Sequence, residues 1–128
     1  LLESHQLDFT LSFRRLSELS GTLPAANVSS LAGFPSAFDG WMARWKARLD
    51  AEHNPTRQKD MLNTNPAIIP RNHLIEESIV AASTEGNFDL FNELVDNLAF
   101  PFDLEGIDIR FAKKPKSEQV VRQTFCGT

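Results

Sequence analysis

An all-α fold, about five helices in an irregular bundle, is what this sequence predicts, and three observations predict it. Apolar residues recur at three- and four-residue spacing in four separate stretches. Residues that cap, start or stop helices punctuate those stretches, at Asp8, Gly21, Asn54-Pro55, Asn65-Pro66 and Gly86. Only one short run, Ile107 to Phe111, alternates as a strand does. The 128 residues suit one helical region with its own core, expected over 6–102, followed by an extended, irregular tail over 103–128.

The first helix is predicted from Asp8 to Ser20. Asp8 is a good N-cap, Phe9, Phe13, Leu16 and Leu19 share a face, and Gly21 supplies the stop. Residues 21–35 are small and turn-rich and read as a loop. Ser36 with Asp39 resembles a capping box, after which Phe38, Trp41, Met42, Trp45 and Leu49 form an apolar stripe. Asn54-Pro55 reads as a cap with proline in the first turn, opening a short helix through Met61 and Leu62. A helix over 71–84 follows, with Leu74, Ile75, Ile79 and Ala82 inward, and Gly86 ends it. Asn87 then caps a helix carrying Phe88, Phe91, Leu94, Val95 and Leu98. So short a turn between them makes 71–98 an antiparallel hairpin. Ile107, Ile109 and Phe111 read as extended, and residues 113–116 as exposed linker. The expected core is Phe9, Phe13, Trp41, Trp45, Ile79, Phe91 and Leu94.

Charge and composition exclude several classes of function. A net charge of −4 and a pI near 5.3 argue against a dedicated nucleic-acid binder. No apolar run approaches the ~20 residues that span a bilayer, so no membrane partner is expected. The N-terminus has neither the basic nor the apolar region of a signal peptide, and the single cysteine cannot form an internal disulfide, so a reducing, cytoplasmic setting is expected. The first residue is not Met, which suits a piece of a longer protein. Residues 74–109 carry nine acids (Glu76, Glu77, Glu85, Asp89, Glu93, Asp96, Asp103, Glu105, Asp108) and no Lys or Arg, whereas Arg110, Lys113, Lys114, Lys116 and Arg122 follow at once. These read as solvated faces, or as surfaces that meet each other or another domain.

Chemistry-bearing patterns are sparse. His5, His53 and His73 lie far apart, with no His-x-x-x-His or Cys-x-x-Cys spacing for zinc. No glycine-rich phosphate loop is present. Trp41 and Trp45, beside Arg44 and Arg48, have the makings of a base-stacking platform, but at helical spacing next to Phe38 and Met42 they read as core. Cys126, third from the end on a glycine-flanked tail, is placed for thiol exchange. A small thiol enzyme built on Cys126, and a free-standing helical interaction module using the acidic hairpin, are both compatible with these residues.

Three motifs, in order, carry a resemblance. They are Trp41-x-x-x-Trp45-x-x-Arg48; Asn65-Pro66-x-x-x-x-Arg71-Asn72 within 61–73, followed by Ile79, Ala82 and Gly86-Asn87; and the closing Thr124-Phe125-Cys126-Gly127-Thr128. Together they resemble the C-terminal portion of selenoprotein O-like proteins of the bacterial type, with cysteine where others place selenocysteine. Asn87 and Phe100-Pro101-Phe102 depart from the family pattern, and 103–122 matches it poorly. The resemblance implies a pseudokinase-fold parent that transfers AMP from ATP, with Mg²⁺, to hydroxyl side chains of proteins. It implies that the nucleotide and metal residues lie in a kinase-like region outside this chain. It further implies a regulatory disulfide between Cys126 and that region, which would be this lobe's main partner. No catalytic, cofactor-binding or metal residue is assigned here. Asn65, Pro66, Arg71, Asn72, Trp41, Trp45 and Arg48 are family-motif positions of unassigned role.

Overall fold

The computed structural model describes residues 1–103 and 106–121. Among the described residues it is all-α, with six α-helices, several 3₁₀ turns and no strand. The helices are α1 (Phe9–Leu19), α2 (Asp39–Ala51), α3 (Arg57–Thr64), α4 (Asn72–Glu85), α5 (Asp89–Leu98) and the single-turn α6 (Ile109–Ala112). Helix α1 is the axis of the molecule, packed on one side against α3 and on another against the 3₁₀ turn Asn27–Leu31. Helices α4 and α5 pack together as the antiparallel hairpin that the short turn at Gly86 requires. Gly86 there adopts φ 66°, the left-handed conformation a glycine reaches without Cβ strain.

Two apolar clusters hold these elements. The first joins Leu11, Ala26, Val28, Ala67, Ile68, Ile107 and Ala112, and the second joins Leu74, Leu94 and Phe111. Leu98 packs against both, and α6 contributes Ala112 to one and Phe111 to the other. The little helix α6 is therefore the wedge between the α1 layer and the hairpin.

Several expectations are corrected. Of the seven expected core residues only Leu94 is buried, while Phe9, Ile79 and Phe91 are exposed and Phe13, Trp41 and Trp45 are half-buried. The reason is visible in α1, whose buried face runs through Leu11, Arg14 and Glu18 rather than through the phenylalanine row. The segment 107–112, read as extended, is helical from Ile109 and supplies three buried residues, because Asp108 caps it by accepting from the Arg110 N–H at 2.8 Å. The loop 21–35 contains the turn that buries Val28. Ser36 makes no capping box; it opens a 3₁₀ turn that runs into α2. Asn54 forms an Asx turn with Thr56, and α3 begins only at Arg57. Gly21 is needed for close approach: a Cβ there would lie 2.3 Å from the Gln58 Oε1 and 2.9 Å from its Cβ.

Helix α2 has no buried residue, and it leans on the rest through the half-buried Trp41 beside Phe13, Leu16, Phe34 and Phe38. Trp45→Ala is accordingly expected to cost about 1–2 kcal/mol in urea denaturation, well short of the ~3–5 kcal/mol of a fully buried tryptophan. A loss in the larger range would place Trp45 in a core.

Candidate functional site

The motif Asn65-Pro66-x-x-x-x-Arg71-Asn72 is built from the end of α3 to the start of α4. Proline at 66 disfavours helical backbone at Asn65, which is extended (φ −105°, ψ 103°) and ends α3. The Asn65 side chain then turns inward, donating from Nδ2 to the Ser17 Oγ at 2.9 Å and to the Met61 carbonyl at 3.0 Å. Ala67 and Ile68 are fully buried, and their N–H groups donate to the Pro101 carbonyl at 2.7 and 3.4 Å. Arg71 closes the segment. Its Nη1 donates to Asp8 Oδ2 at 2.6 Å, and its Nη2 to Asp8 Oδ1 at 3.1 Å and to the Ala112 carbonyl at 3.0 Å.

The spacing has a geometric reason. Ser17 and Asp8 are nine residues apart on α1, about 13 Å along its axis. Six residues of extended chain from Asn65 to Arg71 reach up to roughly 20 Å, enough to run antiparallel to α1 and grip both of its ends. Asp8 does two jobs there: it caps α1, accepting from the Leu11 N–H at 2.9 Å, and it takes the bidentate Arg71 pair. Burial pushes the Asp8 carboxyl up, but the Arg71 hydrogen bonds and charge, the Leu11 N–H and Lys114 outweigh it and hold the group below its ordinary value.

Beneath this segment lies a polar hub that sequence reasoning missed. Arg14 is 1% exposed. Its Nη1 donates to the Leu62 and Asn65 carbonyls at 3.1 and 3.0 Å, and its Nη2 to those of Phe102 and Asp103 at 3.3 and 3.5 Å. Glu18, one turn on, is buried with its Oε1 3.8 Å from the Arg14 Nε. Glu18 accepts from the Ala26 N–H at 3.1 Å and the Ser29 hydroxyl at 2.5 Å, fixing the loop that buries Val28. Gln58 donates to the Glu18 carbonyl at 2.8 Å and accepts from the Leu23 N–H at 2.7 Å. Burial lowers the Arg14 pKa, and the Glu18 charge opposes that pull. In the sequence an Arg–Glu pair four apart looks like a surface ion pair; the one available signal was that it shares a helix face with Leu11.

The structure thus joins Asn65, Pro66 and Arg71 through α1, while Asn72 is exposed at the first position of α4. Trp41, Trp45 and Arg48 form a separate group on α2. The two indole rings stack with centroids 5.9 Å apart, and the exposed Arg48 pairs with Glu52 at 3.1 Å. Cys126 lies outside the described residues. His73 is half-buried, and its Nδ1 has no hydrogen-bond partner among the described residues; burial and then the Arg71 charge lower its pKa against the pull of Glu77. Among the described residues no group of three or more His, Cys, Asp or Glu side chains is placed to hold a metal ion. No helix among them is long and apolar enough to cross a membrane.

Chemically, this arrangement is a clamp: its guanidinium and carboxylate groups are turned toward the backbone of their own chain. Comparison with known proteins says whose clamp it is. The chain is 48% identical over 124 residues to a protein nucleotidyltransferase YdiU of Nitrobacter winogradskyi, covering 94% of this chain and 24% of that protein. It is 44% identical to the same-named protein of Nitrobacter hamburgensis and 41% identical to that of Rhizobium leguminosarum, covering 99% and 100% of this chain and 26% of each relative. The chain belongs to the selenoprotein O family. It corresponds to the C-terminal part of these relatives and spans about a quarter of their length. No family model and no solved structure matches it. The Asn-Pro-x-x-x-x-Arg-Asn signature of this selenoprotein O-family segment is, through Asn65 and Arg71, a helix-gripping device.

Two outcomes are expected. Arg14→Ala leaves four inward carbonyls without their donor and Glu18 with Arg15 alone as its cation, at 3.4 Å, and should cost about 3–5 kcal/mol by urea denaturation, with Trp45→Ala as the milder reference. The Asp8 pKa is lowered on folding, so the unfolded chain binds more protons at acid pH. That stabilisation is complete above about pH 3.9, the unfolded value, and is lost as pH falls through the lower folded value. Asp8→Asn should therefore flatten the acid limb of stability below about pH 4. The His73 contribution, lost as pH falls from about 6.5, should remain. An unchanged acid limb in the variant would show that the Asp8–Arg71 pair contributes nothing.

Proposed function

We propose that this chain is the non-catalytic helical C-terminal lobe of a protein nucleotidyltransferase. In this reading, a kinase-like region elsewhere in the parent polypeptide holds ATP and Mg²⁺ and moves AMP to Ser, Thr or Tyr hydroxyls of proteins. The observation that carries it is the match of 94–100% of this chain to the C-terminal part of proteins named protein nucleotidyltransferase. The turning of the Arg14 and Arg71 guanidiniums onto backbone carbonyls supports a supporting role, since groups so engaged are not offered to a substrate phosphate. Cys126 is assigned the regulatory part. Its thiol and a thiol of the kinase-like region would lose two electrons and two protons to an oxidant such as oxidised glutathione, forming a disulfide that reductant reopens.

Transfer of label from α-labelled ATP to protein acceptors is the test. The full-length polypeptide carrying this segment should label acceptors, and the 128-residue chain alone should not. Cys126→Ser in the full-length protein should keep the reduced-state rate and remove the response to thiol reductant. A Ser variant that still responds would overturn the redox assignment, and labelling by the isolated chain would overturn the division of labour.

A further inference from the structure

Helix α5 has two apolar rows, and the fold uses one of them. Leu90, Leu94 and Leu98 face the α4–α6 cluster, and the same side is tied down by Glu93, paired with Arg110, and by Asn97, which accepts from the Asp108 N–H at 3.4 Å. The second row, Phe88, Phe91 and Val95, is 57%, 51% and 52% exposed, and Ile79 on α4 is 55% exposed. With Val80 also exposed, five large apolar side chains left open on one hairpin exceed the scattered exposures normal for a monomer surface. The hairpin is also one-signed. Glu76, Glu77, Glu85, Asp89, Glu93 and Asp96 lie within α4 and α5, which themselves carry no Lys or Arg, and among the described residues only Glu93 of these is ion-paired.

From this we infer that the row Phe88, Phe91 and Val95 is the seat of the preceding three-quarters of the parent polypeptide, which covers it with an apolar surface rimmed by basic side chains. The inference rests on reading the chain as the C-terminal lobe of a longer transferase, and it names the surface that lobe uses. The occupant is chosen on two grounds. In the relatives about three times this length of chain precedes the matching segment, so a covalently attached surface is present at high effective concentration. The acids bordering the row favour a basic-rimmed partner and oppose a second acidic hairpin packing face to face against it.

Hydrogen–deuterium exchange of the 128-residue chain and of the full-length polypeptide that carries it tests this. Amides of 88–98 should exchange at least ~10-fold more slowly in the full-length protein, with 57–64 of α3 changing less. The double variant Phe91→Asp, Val95→Asp should leave the isolated chain folded, since both side chains are solvent-exposed there. In the full-length protein it should return 88–98 to the isolated-chain rate. Equal exchange in both proteins overturns the inference. So does protection that appears in the isolated chain as its concentration rises, which assigns the row to a second copy. AMP transfer, measured on the same full-length sample, separates the two readings: transfer without α5 protection overturns the docking surface alone, and α5 protection without transfer overturns the transferase reading alone.

Discussion

The Arg14 guanidinium, sealed inside the molecule against four backbone carbonyls, is the interaction on which the other packing depends. Two of those carbonyls, from Leu62 and Asn65, close α3, where the helix presents its partial negative charge. The other two, from Phe102 and Asp103, belong to the chain leaving the hairpin. One side chain therefore sets the distance of α1 from α3 and from the segment after α5. Burying a cation this deeply costs several kcal/mol, which four carbonyl acceptors on the two Nη groups and a nearby carboxylate offset. Glu18 at 3.8 Å is that carboxylate, and it also accepts from the Ala26–Ser29 turn and from the Arg15 Nη1 at 3.4 Å.

The second clamp repeats this logic at the other end of α1. Arg71 joins the Asp8 cap to the carbonyl that ends α6, so the start of α1, the start of α4 and the end of α6 meet at one guanidinium. Apolar burial alone would leave these elements free to slide, because it is non-directional. Two arginines with defined donor directions remove that freedom. The six-residue spacing of Asn65 and Arg71 is what lets one segment reach Ser17 and Asp8 at the two ends of α1.

A polar interior of this kind has a consequence for the outside. Much of the inward face of α1 is given to Arg14, Ser17 and Glu18, so Phe9 remains exposed and Phe13 half-buried. On α5 the row beside the leucines is likewise left open. Open apolar rows on a piece that matches a quarter of its relatives suit a lobe that is one layer of a larger packing.

The sequence by itself determined the all-α class, the α1 cap at Asp8, the left-handed turn at Gly86 and the hairpin it forces, because each depends on neighbours a few residues away. It also determined the family, through the ordered Trp41–Arg48, Asn65–Asn72 and Thr124–Thr128 motifs, though without saying what those residues touch. Only the tertiary structure decided which faces are inside. Periodicity marks a row as apolar, but burial depends on what packs against it, and here the first helix buries charge in preference to phenylalanine. The helical state of 109–112 was decided the same way: an alternating Ile-Arg-Phe run becomes a single turn of helix once Phe111 and Ala112 wedge between two clusters. Contacts such as Arg14 to Asp103, 89 residues apart, leave no local trace in the chain, and so the hub that organises the molecule was the part least legible beforehand.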